Sequence, residues 1–288
     1  MIWLIGNRGM LGSDVEELLS YGNMDFIVTD IDVDITDYRA LNSFASERKI
    51  DWIINCAAYT AVDRAEDEPE KAFMVNADGP KNIAKIAFNK GAKLIHISTD
   101  YVFDGKKDAT YTEDDVPDPL CVYGKSKLEG ERNIQSLADT YFIVRTEWLY
   151  GKNGNNFVHT MLKLFDERDT VSVVEDQWGS PTYSKDLANA IFRIVKKESV
   201  GYGIYHFTNE GKTNWYGFAK EIYERARERG LLNRECSLVP IKTQEYPTKA
   251  VRPKNSCLSK DKIKTVFELE IRDWKNALMD FIDEIQKN

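Results

Sequence analysis

The stretch Met1-Ile2-Trp3-Leu4-Ile5-Gly6-Asn7-Arg8-Gly9-Met10-Leu11-Gly12 decides the fold of this 288-residue chain. A short apolar run, typical of a buried strand, leads directly into glycines spaced Gly-x-x-Gly-x-x-Gly, after which a helical pattern begins. In such a loop Gly6 permits a tight turn, Gly9 lets the backbone approach a pyrophosphate, and Gly12 lets the helix pack on the sheet. A glycine cluster alone is a weak signal, but its place after the first strand predicts a dinucleotide-binding unit.

The first half of the chain alternates short apolar runs with amphipathic segments. The runs that we interpret as buried parallel strands are 2–5, 26–29, 52–54, 94–97 and 141–144. The segments with helical spacing between them are 10–20, 38–48, 69–89 and 123–137. This alternation predicts an α/β fold, a Rossmann-type doubly wound parallel sheet with helices on both faces.

The second half is less regular and indicates a smaller unit. We expect helices at 184–197, 215–229 and 272–285, a strand at 205–208, and a loop over the proline-containing stretch 238–255. Asn214 or Thr213 is placed to cap the second of these helices. The change near residue 150 predicts a dinucleotide-binding domain at 1–150 and a mainly substrate-binding, mixed α/β domain at 151–288. Residues 182–208 are expected to pack back on the first domain.

Charge and composition limit the partners. The chain has 39 Lys+Arg against 47 Asp+Glu and a net charge of -8, which disfavours nucleic-acid binding because that needs a basic face. The apolar N-terminal run is far shorter than the roughly 20 residues of a membrane span and follows no basic stretch. We therefore expect no membrane partner and a cytoplasmic location. Scattered cysteines and isolated histidines favour reduced thiols and no metal site. The cysteines are Cys56, Cys121, Cys236 and Cys257.

Two charges near the glycine loop make opposite predictions about the cofactor. Asp30 follows the second strand, roughly 20 residues beyond the loop, where a carboxylate binds the adenosine ribose and repels a 2′-phosphate. Asp30 thus favours NADH. Arg8 lies inside the loop, where a cation favours the 2′-phosphate of NADPH. The choice between NADH and NADPH therefore stays open.

A second motif, Tyr123-Gly124-Lys125-Ser126-Lys127, has the spacing Tyr-x-x-x-Lys at the start of a helix. This spacing places Tyr123 and Lys127 on one helical face, where the ammonium is expected to favour the tyrosine phenolate. A tyrosine tuned in this way suits proton donation to a carbonyl that is being reduced. Thr99 ends the predicted strand at 94–97, at the sheet edge where ligands of this fold bind, and its hydroxyl is placed to bond the same carbonyl oxygen.

These motifs together resemble the extended short-chain dehydrogenase/reductases that modify nucleotide sugars, and within them the dTDP-4-dehydrorhamnose reductases. The resemblance runs from the first strand to the final helix. It is carried further by 55–63 (NCAAYTAVD), 98–105 (STDYVFDG), 145–151 (RTEWLYG), 154–157 (GNNF), 176–182 (DQWGSPT) and 252–256 (RPKNS).

The resemblance implies an NADPH- or NADH-dependent oxidoreductase that reduces the C4 ketone of dTDP-4-dehydrorhamnose for polysaccharide biosynthesis. It implies Thr99, Tyr123 and Lys127 as catalytic residues. The implied cofactor-binding residues are Gly6, Gly9, Met10, Leu11, Asp30, Asp34, Ile35, Ala58, Tyr59, Thr60, Tyr123 and Lys127. The implied substrate-binding residues are Val62, Thr99, Asp100, Trp148 and Arg252.

The sequence departs from the family pattern at the positions of a bridging metal. Some members dimerise through a magnesium ion held by acidic side chains, but here the matching positions are Asp14 and Lys185, and an ammonium cannot bind a cation. We therefore expect no metal, and a monomer or a homodimer. The alternatives are a reductase or epimerase for another nucleotide sugar, and a non-catalytic NADP-binding subunit. Tyr101, where related dehydratases have a glutamate, disfavours dehydration.

Overall fold

The computed structural model describes residues 1–197 and 201–286 and contains a six-stranded parallel sheet with two layers of helices. The sheet strands are β1 (Ile2–Ile5), β2 (Phe26–Thr29), β3 (Trp52–Asn55), β4 (Lys93–Thr99), β5 (Tyr141–Thr146) and, later in the chain, β10 (Gly203–His206). The helices between them are α1 (Met10–Tyr21), α2 (Tyr38–Ser46), α3 (Val62–Ala65), α4 (Pro69–Phe73), α5 (Gly79–Lys90) and α6 (Val122–Leu137). These elements confirm the predicted alternation.

The order of the strands creates a crevice at one edge of the sheet. Across the sheet they run β10-β5-β4-β3-β1-β2, and every pairing is parallel. The chain leaves β1 on one side to form β2 and returns on the other side to form β3. Connections of opposite direction leave a crevice at the carboxyl ends of β1 and β3. The segment after β2, from Asp30 to Asp37, is a series of turns.

Both faces of the sheet are covered because the strands are apolar on both sides. On one face, α1 and the later helix α8 (Ser184–Lys196) pack together and bury Leu11, Val15 and Ile191. On the other face, α2, α5 and α6 bury a second cluster that includes Leu41 and Ile83. Each strand therefore has two apolar contact surfaces, as expected for a central parallel sheet.

The segment predicted as one helix at 69–89 is interrupted. A π-helical turn, Met74–Asp78, separates α4 from α5, and Pro80 stands at the start of α5. The turn brings Asn76 against α6, where a β-carbon at Gly130 would lie 2.1 Å from the Asn76 carbonyl oxygen. Glycine at position 130 is therefore what allows this close approach. Hydrophobic periodicity alone does not reveal a π turn, because the apolar stripe passes through it.

The remaining elements build a smaller cluster beside the sheet. They are β6 (Leu149–Tyr150), α7 (Phe157–Glu167), β7 (Thr170–Val174), β8 (Trp178–Gly179), β9 (Thr182–Tyr183), β11 (Thr213–Asn214), α9 (Trp215–Glu228), β12 (Ser237–Ile241) and α11 (Trp274–Gln286). Their shared core includes Phe165, Phe218 and Phe281, all fully buried. Helix α10 (Asp261–Phe267) packs on the large sheet instead. The cap at Asn214 is confirmed, because its side chain accepts a 2.7 Å hydrogen bond from the Gly217 amide.

The prediction of a loop over 238–255 was wrong at its start. Strand β12 pairs in parallel with β7, and Pro240 lies opposite Val173 in this ladder. The pair forms a separate two-stranded sheet, so each strand has one unpaired edge in it, where a proline is tolerated. Helices α7 and α10 and strand β7 were not predicted at all.

Later segments return to the large sheet. Strand β10 pairs with β5, and Ile263 and Phe267 of α10 join the core that α1 and α8 cover. The predicted strand at 205–208 is thus present but begins and ends two residues earlier. The division into domains at residue 150 stays a prediction. In the part of the chain that the structure describes, no helix is long and apolar enough to cross a membrane.

A buried ion pair joins α6 to the sheet. The Arg145 guanidinium on β5 donates to both carboxylate oxygens of Glu131, at 2.9 and 2.7 Å, and Ser98 on β4 donates to the same carboxylate. The side chains of Arg145 and Glu131 are 2% and 0% exposed. A pair this deep is stable only because its charges are mutually satisfied.

We expect Glu131→Gln to lower the free energy of unfolding by about 3 kcal/mol, because it leaves the buried Arg145 charge uncompensated. Denaturant unfolding measures the change. The matched control is Glu129→Gln on the same helix, whose carboxylate is 45% exposed and 3.7 Å from Arg132. An exposed pair of this kind contributes under about 1 kcal/mol, so equal losses in the two variants would contradict the assignment.

Candidate active site

The glycine loop has the geometry of a pyrophosphate cradle. Gly6 has a φ of +83°, which favours glycine, and its amide donates to Thr29 at the end of β2. A β-carbon on Gly12 would lie 1.9 Å from the Gly6 carbonyl oxygen, so only glycine lets α1 begin this close to the loop. Within the described residues, no side chain caps the N-terminus of α1 at Gly9. The amides of its first turn are therefore left for an anion.

A cavity of about 550 Å³ opens at this loop. Its walls include six of the predicted cofactor-binding residues: Gly6, Gly9, Asp30, Asp34, Ile35 and Ala58. They also include Arg8 and five residues that the sequence did not single out for this role: Ile31, Val33, Cys56, Ala57 and Val75. The small and apolar members suit the flat face of an adenine ring, but their types carry no signal before the fold brings them together.

The other predicted cofactor-binding residues lie near the cavity without lining it. The Leu11 side chain is buried in the core, and Met10 lies at the first turn of α1. The Tyr59 amide donates to the Asn76 side chain at 2.8 Å, and Thr60 is exposed. Met10 and Leu11 can therefore contribute backbone amides. The roles of all four residues stay predictions.

Asp30 and Arg8, whose charges favour different cofactors, both lie at the adenosine end of the cavity. The Asp30 carboxylate accepts hydrogen bonds from the backbone amides of Arg8, at 3.0 Å, and Ile31, at 2.9 Å. These contacts hold the carboxylate at the end of β2. The Arg8 side chain is exposed at the same wall. Either a ribose hydroxyl or a 2′-phosphate thus finds a partner here.

Tyr123 and Thr99 meet where α6 begins and β4 ends. The Tyr123 side chain is 9% exposed, packs edge-on against Tyr101 and interacts with the Thr99 side chain. Burial raises the pKa of Tyr123 above its usual value. This direction is opposite to the phenolate expected from Lys127. A raised pKa keeps the hydroxyl protonated at neutral pH, which is the form that can donate a proton.

Lys127 lies one turn further along α6 and is directed at the strands. Its ammonium donates to the Ile97 carbonyl oxygen at 2.6 Å and lies 3.4 Å from His96 Nε2. Burial lowers the pKa of Lys127 to about 8, against the attraction of the Glu131 carboxylate. Cys56, which lines the cavity, also interacts with this ammonium. Lys127 is therefore held beneath the floor of the cofactor crevice.

A second, narrow cleft contains three of the predicted substrate-binding residues, Asp100, Trp148 and Arg252. The Arg252 guanidinium makes two hydrogen bonds to Asp63, at 3.0 and 2.7 Å. Val62 does not line this cleft but packs in the cluster that includes Tyr123. The sequence assigned no role to five further lining residues: Tyr101, Gln177, Trp215, Pro253 and Ser256.

Trp148 has a positive φ angle, which the local sequence does not predict. Its φ is +49°, a conformation that costs a non-glycine residue about 1 kcal/mol or more. Its ring stacks on Trp215 with centroids 3.6 Å apart, and a β-carbon on Gly179 would lie 2.6 Å from the ring. The stacking and the small neighbour hold the strained residue at the cleft.

The positions associated with a bridging magnesium ion are occupied by other contacts. Asp14 is buried and accepts a hydrogen bond from the Ser184 hydroxyl, while Lys185 forms a 2.8 Å ion pair with Glu284. Across the ranges 1–197 and 201–286 there is no group of three or more potential metal-binding His, Cys, Asp or Glu residues.

The chain is similar to known proteins over almost its whole length. A family model described as "RmlD substrate binding domain" matches residues 1–287. A dTDP-4-dehydrorhamnose reductase of Aggregatibacter actinomycetemcomitans is 44% identical over 281 residues, which are 96% of each chain. Solved structures of dTDP-4-dehydrorhamnose reductases are also similar. The one from Clostridium acetobutylicum has a TM-score of 0.92 and 41% identity, and the match covers 99% of each chain.

The structure from Bacillus anthracis, solved in complex with NADP, has a TM-score of 0.91, 40% identity and coverage of 98% of each chain. Near-complete coverage by a family model and by relatives at this identity exceeds what a shared fold alone produces. The chain belongs to the RmlD family, the dTDP-4-dehydrorhamnose reductases.

Proposed function

We propose that this protein reduces the C4 ketone of dTDP-4-dehydro-β-L-rhamnose to the alcohol of dTDP-β-L-rhamnose, with NADPH or NADH as the reductant. The observation that carries the proposal is that Tyr123 and Thr99 lie together at the sheet edge where the cofactor crevice opens. Thr99 also donates to Asp100, which lines the narrow cleft, at 2.9 Å. A ketone bound in the cleft is thereby brought to a proton donor.

The residues of the cofactor cavity fit a dinucleotide. The uncapped first turn of α1 and the Gly6–Gly9 loop would hold the pyrophosphate, and Asp30 or Arg8 would hold the adenosine ribose. When bound, the reduced nicotinamide supplies the hydride that adds to C4 of the sugar. The fit rests on the missing cap and on the close approach that Gly12 alone permits.

Tyr123 would act as the general acid. As negative charge develops on O4, the protonated Tyr123 hydroxyl donates its proton to that oxygen, and the Thr99 hydroxyl supplies a hydrogen bond. Lys127, fixed by the Ile97 carbonyl and His96, would bind the nicotinamide ribose and place a positive charge near the reacting atoms. Positioning and electrostatic stabilisation together supply most of the rate.

The narrow cleft would bind the nucleotide sugar. The stacked Trp148 and Trp215 offer apolar surface to a sugar, and Asp100 offers a carboxyl group to its hydroxyls. Arg252 is the cation proposed for the diphosphate, and its pairing with Asp63 fixes the guanidinium at the cleft. A diphosphate would compete with Asp63 for this donor.

A substrate panel tests the proposal against its rivals. Oxidation of NADPH, followed by absorbance, is measured with dTDP-4-dehydrorhamnose and with UDP- and GDP-linked 4-keto sugars. We expect turnover with the dTDP sugar. Faster turnover with another nucleotide favours a different reductase of the same superfamily, and cofactor binding without any turnover favours a non-catalytic subunit. We propose a cytoplasmic enzyme, monomeric or homodimeric, in keeping with its four unpaired cysteines.

We expect Tyr123→Phe to lower kcat by at least about 100-fold and to leave NADPH affinity within about threefold, because it removes the proton donor and little else. Steady-state kinetics and cofactor fluorescence titration measure the two effects. Tyr205→Phe is the matched control, since it deletes the hydroxyl of a buried tyrosine on β10, which donates to the Gly201 carbonyl oxygen. Turnover by the Tyr123 variant at the normal rate would refute the role of this residue.

Substitutions at Asp30 and Arg8 decide the cofactor preference. If Asp30 binds the ribose, Asp30→Ala lowers kcat/KM for NADH by about tenfold or more, which is the size of a lost hydrogen bond to a charged group. If Arg8 binds the 2′-phosphate, Arg8→Ala lowers kcat/KM for NADPH similarly. Lys49→Ala removes an exposed cation elsewhere and serves as the control. An unchanged NADPH-to-NADH ratio in both variants would exclude both assignments.

A further inference from the structure

Glu147 is a buried acid that the reaction just described does not use. Glu147 directly precedes Trp148 and is 2% exposed. Its Oε2 accepts a 2.5 Å hydrogen bond from the Ser256 hydroxyl. Its Oε1 is buried and has no hydrogen-bond partner in the described part of the chain, and the same is true of Asp100 Oδ2. Two buried carboxyl groups with unmatched oxygens at one site are costly unless they hold a proton.

Hydroxyl groups lie between these two acids and the proposed general acid. Tyr123 interacts with the Thr99 side chain, and Thr99 Oγ1 donates to Asp100 Oδ1 at 2.9 Å. Asp100 and Ser256 line the same narrow cleft, and the Ser256 hydroxyl donates to Glu147. Every link is a carboxyl or hydroxyl group, each of which can both accept and donate a proton.

We propose that Asp100 and Glu147, bridged by Ser256, store a proton and return it to Tyr123 through Thr99 after each reduction. The proposal rests on the proposed function, since it concerns the same reaction. Glu147 would act only through the chain of hydroxyl groups and would not touch the substrate.

The proton balance of the cycle requires such a source. Each reduction adds a hydride to C4 and one proton to O4, so Tyr123 ends the step as a phenolate. The phenolate takes a proton from Thr99, Thr99 takes one from Asp100, and Ser256 passes one from Glu147 to Asp100. The net change is one O–H bond formed at Tyr123 and one broken in the carboxyl pair. Solvent then restores the proton of the pair before the next turnover.

The electrostatic surroundings keep a proton on the pair at neutral pH. Burial raises the pKa of Asp100 to about 7 and raises the pKa of Glu147 well above its usual range, with repulsion between the two carboxylates adding to the second shift. The ionisable groups that face the pair are Tyr101, Tyr123, Cys121, Cys257, Lys260 and Arg252. Two cations favour the charged form: Lys260, which is already paired with Glu210 at 3.3 Å, and Arg252, which lines the cleft with Asp100 and is paired with Asp63.

Glu147→Gln removes the acid while keeping its size. It removes the acid that recharges Asp100 through Ser256, so Asp100 must regain each proton directly from solvent. A Tyr123 that is already protonated still completes one reduction. We therefore expect a fast burst of NADPH oxidation close to one equivalent per active site, followed by a steady rate at least about tenfold lower than that of the unaltered protein. Stopped-flow absorbance with dTDP-4-dehydrorhamnose measures both phases.

Further variants separate proton supply from a structural role. Glu147→Asp keeps an acid and should restore part of the steady rate. Ser256→Ala removes the hydroxyl between the two acids and should reproduce the burst and the slow steady phase. Ser256→Ala therefore tests the proposal even if Glu147→Gln does not fold. Glu221→Gln removes another buried carboxylate, 7% exposed and paired with Arg225, and should show neither effect. In the unaltered protein the steady rate should fall as pH rises above about 7, while the first turnover should not.

The outcomes are distinct. A burst with a slow steady phase in the Glu147 or Ser256 variant supports the relay. An unchanged steady rate, or a first turnover slowed as much as the steady rate, overturns it while leaving the proposed reduction intact. If the unaltered protein does not oxidise NADPH with this substrate, the proposed function fails, and the relay fails with it.

Discussion

The buried ion pair between Glu131 and Arg145 determines where the chemistry can take place. Tyr123, Lys127 and Glu131 are spaced four residues apart and so lie along one face of α6. Because Glu131 is held by Arg145 on β5 and by Ser98 on β4, that face must lie on the carboxyl ends of these strands. This orientation of α6 places Lys127 against Ile97 and Tyr123 beside Thr99. The pair costs desolvation, but it sets the orientation of the helix.

Two glycines fix further contacts of the helices by letting the backbone of a neighbouring segment come close. Gly130 admits the carbonyl of Asn76, whose side chain also donates to Ser126 at 3.1 Å, so α6 is held from the π turn as well as from the sheet. Gly12 admits the glycine loop against α1 in the same way. Rigid placement of this kind lets a small number of polar groups act at fixed distances, which is what reduction of a bound ketone requires.

The sequence predicted the large sheet well because its signals are local. Short apolar runs with glycine turns placed β1 to β5 close to their observed limits, and spacing alone put Tyr123 and Lys127 on one face. The smaller half was predicted poorly. Strand β12 contains Pro240 and lies at the edge of a two-stranded pair, so neither composition nor period marks it, and the π turn at Met74–Asp78 leaves the apolar stripe unbroken.

The residue types of the glycine loop, Thr99, Tyr123 and Lys127 by themselves determined the fold class and the kind of reaction, because each motif needs only a few neighbouring positions. Only the tertiary structure decided the protonation of the site. Burial, which depends on contacts far apart in the chain, raises the pKa of Tyr123 where the motif alone suggested that Lys127 would lower it. Tertiary packing also brings Ser256 to Glu147, 109 positions away, and to the cleft that Asp100 lines, and no local pattern encodes these contacts.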